Sequence, residues 1–469
     1  APAGGADGGW SDRRLLAVLV TVAATAFLAA VRLRLHAMPS GDEPAYLVIS
    51  QTLQKYHSVD ILRDHLHGDY HSFYRWYLQP HVVTAPNGHR LPLHSIGGPL
   101  LWLVPFILWG RAGACLLIAL ISVLIVANTY RFLREQEIGP GYAFLATLLL
   151  ALASPVYVYS SMTFVEPIGA LVLLYAVRVA LAPKPHPGRV LTAAVGVAYL
   201  PWVHPRFLMF ALVLAGLLAF RLWRDRRGPG LRPYLAVLVP LGVSLALLEL
   251  YTVLVWGSVN PVVNSTANGD GPFQIPLHVG LMNLFFDRQV GLIANYPVFL
   301  LVLPGILLSA RRTRPLRHAA IAAVVVPYLL LVGTFADWWA GYSPPARFLV
   351  VIVPLLTYYL AYALQRLDSI LVACAALLLG AASYAASLTS DLMPSARFST
   401  FGKPNRALVD LTHAFGGTRL LRFIPSGSAP GGQHGLFLAW LAGTVLLGAG
   451  LWAVGRRHRA RLIPAAAAN

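Results

Sequence analysis

Long apolar runs separated by short polar breaks dominate the chain. Runs near 14–32, 112–130, 140–158, 167–182, 190–204, 207–223, 234–256, 291–309, 318–335, 348–365, 369–388 and 435–454 are each close to the length that crosses a bilayer as a helix. Together they predict about twelve transmembrane helices. The run at 95–110 is shorter and broken by Gly97-Gly98-Pro99 and Pro105, so it is expected to lie at the interface or to re-enter. The fold class is therefore all-α, a polytopic membrane protein read as one domain over 1–469. Its long outer loops are 33–111, which carries the interfacial segment, and 389–434.

Charge orients this scaffold. With Arg13-Arg14 placed on the cytoplasmic side, the loops 131–137, 182–189, 221–232, 311–317 and 365–368 and the tail 456–461 all become cytoplasmic, and all but 365–368 carry at least two Lys or Arg. This is the positive-inside pattern. A full crossing at 95–110 would invert every later loop, so the alternation itself supports the interfacial reading. Both termini are then cytoplasmic, and the first apolar run is expected to remain as an anchor, since it lacks the cleavage pattern of a leader. The outer loops hold most of the acidic residues and histidines.

Composition agrees. The 469 residues are 57% hydrophobic and 12% charged, whereas soluble domains carry about 25% charged residues. The formal charge of +18 is spread in short loop runs, not gathered on one face, so nucleic acid is not a partner. Cys115 and Cys374 both fall inside apolar runs and give no disulfide framework. No repeat of the inverted kind common in transporters is visible.

The most conspicuous polar stretch is Gly41-Asp42-Glu43-Pro44-Ala45-Tyr46-Leu47, just beyond the first run. An acid pair before Pro is a helix-start signature, so capping explains it economically. Its position at the lipid-water boundary supplies the other reading, a carboxylate able to meet a lipid-borne and an aqueous substrate together. Glu166-Pro167 repeats the acid-before-Pro pattern and divides in the same way between capping and binding of sugar hydroxyls. Late in the chain stands Asp337-Trp338-Trp339-Ala340-Gly341-Tyr342-Ser343-Pro344-Pro345-Ala346-Arg347. Its aromatics suit either a membrane-interface belt or a wall for stacking sugars.

These motifs resemble the GT-C superfamily of polyprenyl-phosphate-sugar-dependent glycosyltransferases, in particular bacterial relatives of protein O-mannosyltransferases and of the lipid A aminoarabinose transferase. The likeness rests on the Gly-Asp-Glu-Pro-x-Tyr-Leu motif, the Trp-Trp-x-Gly-x-Ser-Pro-Pro-Ala-Arg segment and the span count. It departs at His94-Ser95-Ile96-Gly97-Gly98, where relatives commonly show His-Pro-Pro. The resemblance implies an inverting, single-displacement transfer of one sugar from a polyprenyl-phosphate donor to a glycan, lipid or protein acceptor, at the outer face of a bacterial plasma membrane. Asp42 would be the general base, with Glu43 orienting it or engaging the acceptor.

Such a step needs cations for the leaving phosphate. Arg347, Arg206 and Arg288 are the candidates in that order, with His204 beside Arg206 in an outer turn. Snorkelling of Arg347 to headgroups and pairing of Arg288 with Asp287 are the plainer alternatives. Arg32 and Arg34, at the end of the first run, are expected to meet headgroups. Tyr46, His94, Glu166, Asp337, Trp338, Trp339 and Tyr342 are candidates for sugar or acceptor contact. Asp64, His65, His67, Asp69 and His71 could hold zinc or manganese but match no strong spacing, so no metal site is predicted and no cofactor is required. A cavity of about 300–1,000 Å³ beside Asp42 and Arg347 is expected. The rival classes are a lipid-linked glycan polymerase or ligase, for which Arg397, Lys403, Arg406, His413, Arg419 and Arg422 are the pointers, a transporter or flippase, and a non-catalytic envelope scaffold.

Overall fold

A computed structural model describes residues 7–225, 232–260, 263–264, 273–309, 315–393, 409–410, 413, 418–427 and 433–466. Every one of the twelve apolar runs contains helix. Among the described residues seven helices are long and apolar enough to cross a membrane, with shorter apolar helices at Pro140–Leu152, Leu277–Phe286 and Pro297–Ser309. The chain is a multi-pass, all-α membrane protein, as its apolar pattern demands.

The first half builds the frame. Helix α1 (Asp7–Leu35) packs along α5 (Leu103–Glu135) and α6 (Pro140–Leu152), and α8 (Glu166–Leu181) lies between α5 and α9 (Pro187–Val203). Between α1 and α5 the chain folds into α2 (Glu43–Tyr56), α3 (Leu62–His67), a two-stranded hairpin and α4 (Gly97–Leu101). In the hairpin, β1 (Val82–Thr84) runs antiparallel to β2 (Arg90–Pro92), with Val83 opposite Leu91. After the short α7 (Pro155–Tyr159), α10 (Leu208–Arg224) and α11 (Arg232–Tyr251) close against α9.

The broken apolar run behaves as its glycines and prolines dictate. It forms α4 and the first turns of α5, which kink at Trp109 and Gly110 before the long helix proceeds. Val104, Ile107, Leu108 and Trp109 are exposed, an apolar face of the kind that lies against lipid.

The second half runs through α12 (Leu277–Phe286), α13 (Leu292–Asn295), α14 (Val302–Ser309), α15 (Pro315–Gly333), α16 (Val353–Leu367), α17 (Ile370–Leu392) and α18 (His434–Ala466). Helix α14 approaches α16 at Gly305, where an added Cβ would sit 1.9 Å from the Tyr359 carbonyl oxygen. Small residues at such crossings let membrane helices pack backbone to backbone.

One basic residue departs from expectation. Arg34 does not reach headgroups; it is fully buried and pairs with Asp391 at 2.5 Å, clamping the end of α1 to the end of α17. Arg32, two residues earlier and on another helix face, is exposed.

Candidate functional site

The turn that presents Asp42 depends on the residue before it. Gly41 has φ +61°, and a Cβ there would fall 2.1 Å from the Tyr342 carbonyl oxygen. The first acidic motif and the late aromatic motif therefore touch through a position that only glycine fits. We expect Gly41→Ala to lower stability by about 1–3 kcal/mol through strain and displacement of the neighbouring backbone. Thermal unfolding in detergent checks this, with Gly88→Ala as the comparison. Gly88 is also left-handed but has open space around its Cβ position, so that variant carries the strain without the displacement and should lose less.

Asp42 stands at the N-cap of α2 yet makes no side-chain cap hydrogen bond. Its carboxylate pairs instead with Arg347, Oδ2 to Nη1 at 2.6 Å. Glu166 is likewise not a cap: Val165 holds that position. The Glu166 carboxylate is fully buried and bridges Arg347 Nε, at 2.8 Å, and Arg206 Nη2. The capping explanation thus fails for both acids, because each finds an arginine brought in from a distant part of the chain.

Arg347 is the hub. Its guanidinium also donates to the Ala340 carbonyl at 3.2 Å and lies 4.6 Å from the centre of the Phe164 ring. It neither snorkels nor reaches solvent freely, being 7% exposed. The backbone that delivers it is unusual, since Ala340, Gly341 and Ala346 all have positive φ. Tyr159 donates its hydroxyl to the Pro344 carbonyl at 2.7 Å and fixes the Ser343-Pro344-Pro345 bend between them. Left-handed alanines persist only where surrounding contacts over-determine them.

Arg206 sits in the turn between α9 and α10, its guanidinium over the Phe348 ring at 4.8 Å. Beyond its bond to Glu166, its Nε is buried without a partner. His204 Nδ1 accepts the Arg206 backbone N–H at 3.2 Å, which places the ring proton on Nε2. Burial, then the Arg206 cation, holds His204 well below the ordinary imidazole value, so the ring is neutral.

Burial alone would raise the Asp42 carboxyl, but Arg347 and then His94 outweigh it and hold it at about 2. His94 is pushed down to about 4, chiefly by burial, with Asp42 opposing. It stacks obliquely on Tyr46 at 4.9 Å between ring centres and lies 3.4 Å from His81, Nε2 to Nδ1. Tyr46 is fully buried, and its hydroxyl has no hydrogen-bond partner.

Asp42, His94, His204, Arg206, Asp337, Arg347, Phe335 and Phe348 line one cavity of about 230 Å³. It is smaller than the sequence suggests, because the ion pairs and the Phe335 and Phe348 rings, 6.2 Å apart, occupy the space between the helices. Trp338 is buried and does not line it; Trp339 and the exposed Tyr342 meet edge to face at 5.8 Å. Glu43 also lies off the cavity. It is fully buried and accepts backbone N–H groups of Ser40, at 3.2 Å, and Thr163, at 3.1 Å. It ties the Asp42 turn to the Glu166 turn.

Arg288 is not part of this cluster. Its backbone N–H donates to Pro425, and the neighbouring Asp287 carboxylate is taken by the backbone N–H groups of Gln289, Val290 and Gly427. Asp287 is thus occupied by backbone, not by Arg288. In the segment between α1 and α5, Asp69 pairs with Lys55 at 2.7 Å and accepts from Tyr56 at 2.6 Å, while His67 contacts the Arg63 carbonyl at 2.8 Å. Among the described residues, no three His, Cys, Asp or Glu converge on a metal position. Arg397, Lys403 and Arg406 lie outside the described residues; Arg419 and Arg422 belong to a 3-10 turn at Thr418–Phe423, and His413 is exposed.

Phe164, Phe348, His81 and Asn264 belong to the site's surroundings without having been singled out in the sequence. The Asn264 amide donates to the Leu93 carbonyl at 3.1 Å and to Ser95 at 3.3 Å. Phe164 and Phe348 flank Glu166 and Arg347 in the chain, and that adjacency was the available signal.

No protein-family model matches the sequence, and no curated protein matches it. Solved structures do match. ArnT from Cupriavidus metallidurans bound to undecaprenyl phosphate superposes with TM-score 0.53 at 14% identity, over 95% of this chain and 77% of that one. The chain shares the fold of that ArnT. The apo form of the same ArnT gives TM-score 0.50 at 16% identity, over 96% and 77%. The archaeal oligosaccharyltransferase AglB from Archaeoglobus fulgidus, in complex with an inhibitory peptide and a dolichol-phosphate, gives 0.46 at 12% identity, over 82% and 56%. In this chain the Asp42 cluster lies where α2, α8, α10 and the segment before α16 meet, at one end of the bundle.

Proposed function

We propose that the protein is a membrane glycosyltransferase that moves one sugar from a polyprenyl-phosphate donor to an acceptor hydroxyl, with inversion, at the outer membrane face. The observation that carries this reading is the Asp42–Arg347–Glu166–Arg206 cluster opening on a cavity within the GT-C fold. Two carboxylates, Asp42 and Asp337, and two arginines border that cavity, and a base with cations for the phosphate is the set of groups such a transfer uses. The acceptor is a glycan, lipid or protein; the positive-inside pattern argues for both termini cytoplasmic, and the family resemblance points to a bacterial plasma membrane.

In the reaction the acceptor O–H gives its proton to Asp42, and its oxygen attacks the anomeric carbon. The carbon–oxygen bond to the phosphate breaks, and the phosphate leaves with the electron pair. The cluster pairs two acids with two arginines, so its formal charges cancel before a donor enters. A phosphate needs free donors, and the unpartnered Nε of Arg206 and Nε2–H of His204 are suited to it. Arg206 therefore ranks ahead of Arg347 as the phosphate ligand, and Arg288 drops out.

Arg347 has a different task. A carboxyl held at about 2 is a weak base, and an anionic phosphate near Arg347 would offset the field that holds it there. Donor binding would raise Asp42 toward the range in which it accepts a proton. Glu43, bonded to two backbone N–H groups, is a positioning residue in this scheme. Tyr46, His94, Asp337, Trp339 and Tyr342 remain candidates for the sugar or acceptor. Arg206 and His204 would supply hydrogen-bond donors to the leaving phosphate, and the reading invokes no metal.

Arg206→Gln tests the donor assignment. Loss of one charge-assisted contact to phosphate should weaken binding of polyprenyl phosphate to the purified protein at least about tenfold, while Arg288→Gln leaves it unchanged. Equal weakening in both variants, or in neither, would sink the assignment.

A further inference from the structure

A second cavity, about 740 Å³, is bounded by α8, α10 and α15 and lined by Leu181, Leu217, Phe220, Arg221, Arg224 and Arg317 among others. It lies at the other end of these helices from the Asp42 cluster. Helix α8 begins at Glu166 and ends at Leu181, and α10 begins beside Arg206 and ends at Arg224. At about 1.5 Å per residue each separates the two sites by roughly 24 Å.

Arg317 is the informative residue. It is 7% exposed and forms a wall of this cavity and of an adjoining one that also contains Tyr358 and Arg366. One guanidinium nitrogen donates to the Tyr358 hydroxyl, but Nε and Nη2 have no hydrogen-bond partner. A buried guanidinium with open donors is costly unless an anion meets it. Arg221 pairs with Asp225 at 2.7 Å, so among the described lining residues Arg317 and Arg224 supply the positive charge facing the cavity.

Apart from Gln136, the rest of the lining is apolar, and Phe220 and Leu316 at its edge are 46% and 40% exposed. A soluble anion would gain nothing from such walls. A basic pocket between transmembrane helices, continuous with apolar surface, has the chemistry of an anionic lipid headgroup site.

We propose that this cavity binds an anionic phospholipid of the leaflet opposite the Asp42 site, with its phosphate on Arg317 and Arg224 and its acyl chains along Leu217 and Phe220. The site is separate from the donor site and does not depend on the identity of the sugar.

The test is native mass spectrometry of the full chain with added cardiolipin or phosphatidylcholine. Wild type and Arg206→Gln should retain cardiolipin equally and in preference to phosphatidylcholine. Arg317→Met should lose at least about tenfold in cardiolipin affinity, and Arg224→Gln about fivefold. The second variant alters a more exposed residue and keeps the test open if the first fails to fold. Cardiolipin retained at wild-type level by every folded cavity variant would overturn the proposal. Equal retention of phosphatidylcholine would overturn the anionic requirement, and displacement by inorganic phosphate would show an ion site instead of a lipid site.

Discussion

Asp42→Asn is expected to lower the transfer rate at least about 100-fold, the low end of what a positioned general base contributes. Asn keeps the shape of the side chain and can still accept from Arg347, so fold and donor binding should survive. Consumption of a polyprenyl-phosphate-linked sugar, beside binding of polyprenyl phosphate, separates the two effects. A variant that transfers at the wild-type rate removes Asp42 from the mechanism. The pH profile gives an independent reading. Asp42 is depressed to about 2 in the free protein, so kcat/KM should show no Asp42 acid limb down to about pH 4. Protonation disables the base. If donor phosphate relaxes the hold of Arg347, kcat should fall on acidification at a higher pH than kcat/KM does.

Arg347→Gln should be the most destabilising single change in the cluster. It removes the cation that faces Asp42 at 2.6 Å and Glu166 at 2.8 Å. Breaking one side of a buried ion pair typically costs about 3–5 kcal/mol. Glu166 keeps Arg206, whereas Asp42 loses the cation that holds it down. The sign follows from that depression. A carboxyl lowered in the folded state stabilises the protein above its unfolded value and loses that contribution as pH falls toward about 2. Without Arg347 this contribution disappears, so thermal stability should fall most near neutral pH and the wild-type and variant curves should converge in acid. Arg347→Lys should recover part of the stability but not transfer, since an ammonium cannot reproduce the fork that meets two carboxylates and a carbonyl. Full recovery of both by Lys would show that charge alone suffices.

Much of this architecture was legible in the chain. Apolar runs of bilayer length, with Arg in alternate loops, specify a helical membrane protein, because an exposed backbone cannot cross lipid unpaired. The break at Gly97-Gly98-Pro99 marked the interfacial α4 and the kinked start of α5. The two motifs carrying Asp42 and Arg347 were conspicuous as polar and Pro-rich islands. Their partners were not. Asp42 and Glu166 read as caps because local sequence offers a carboxylate only its own helix, and the cap bonds are absent in both.

The pairings came from packing. Arg347 lies 181 positions from Glu166 along the chain and Arg34 lies 357 from Asp391, and nothing in periodicity or spacing encodes such distances. Burial then did the selecting. An arginine excluded from water at a helix end must take the nearest carboxylate, which turned Arg34 from a headgroup contact into an internal clamp and Asp42 from a cap into the partner of Arg347. The order of residues along the chain is enough to set the membrane helices and the chemical types available in the segments between them. Which charge meets which depends on how distant helix ends come together, because in a low-dielectric interior an ion pair is specified by three-dimensional proximity and not by order along the chain.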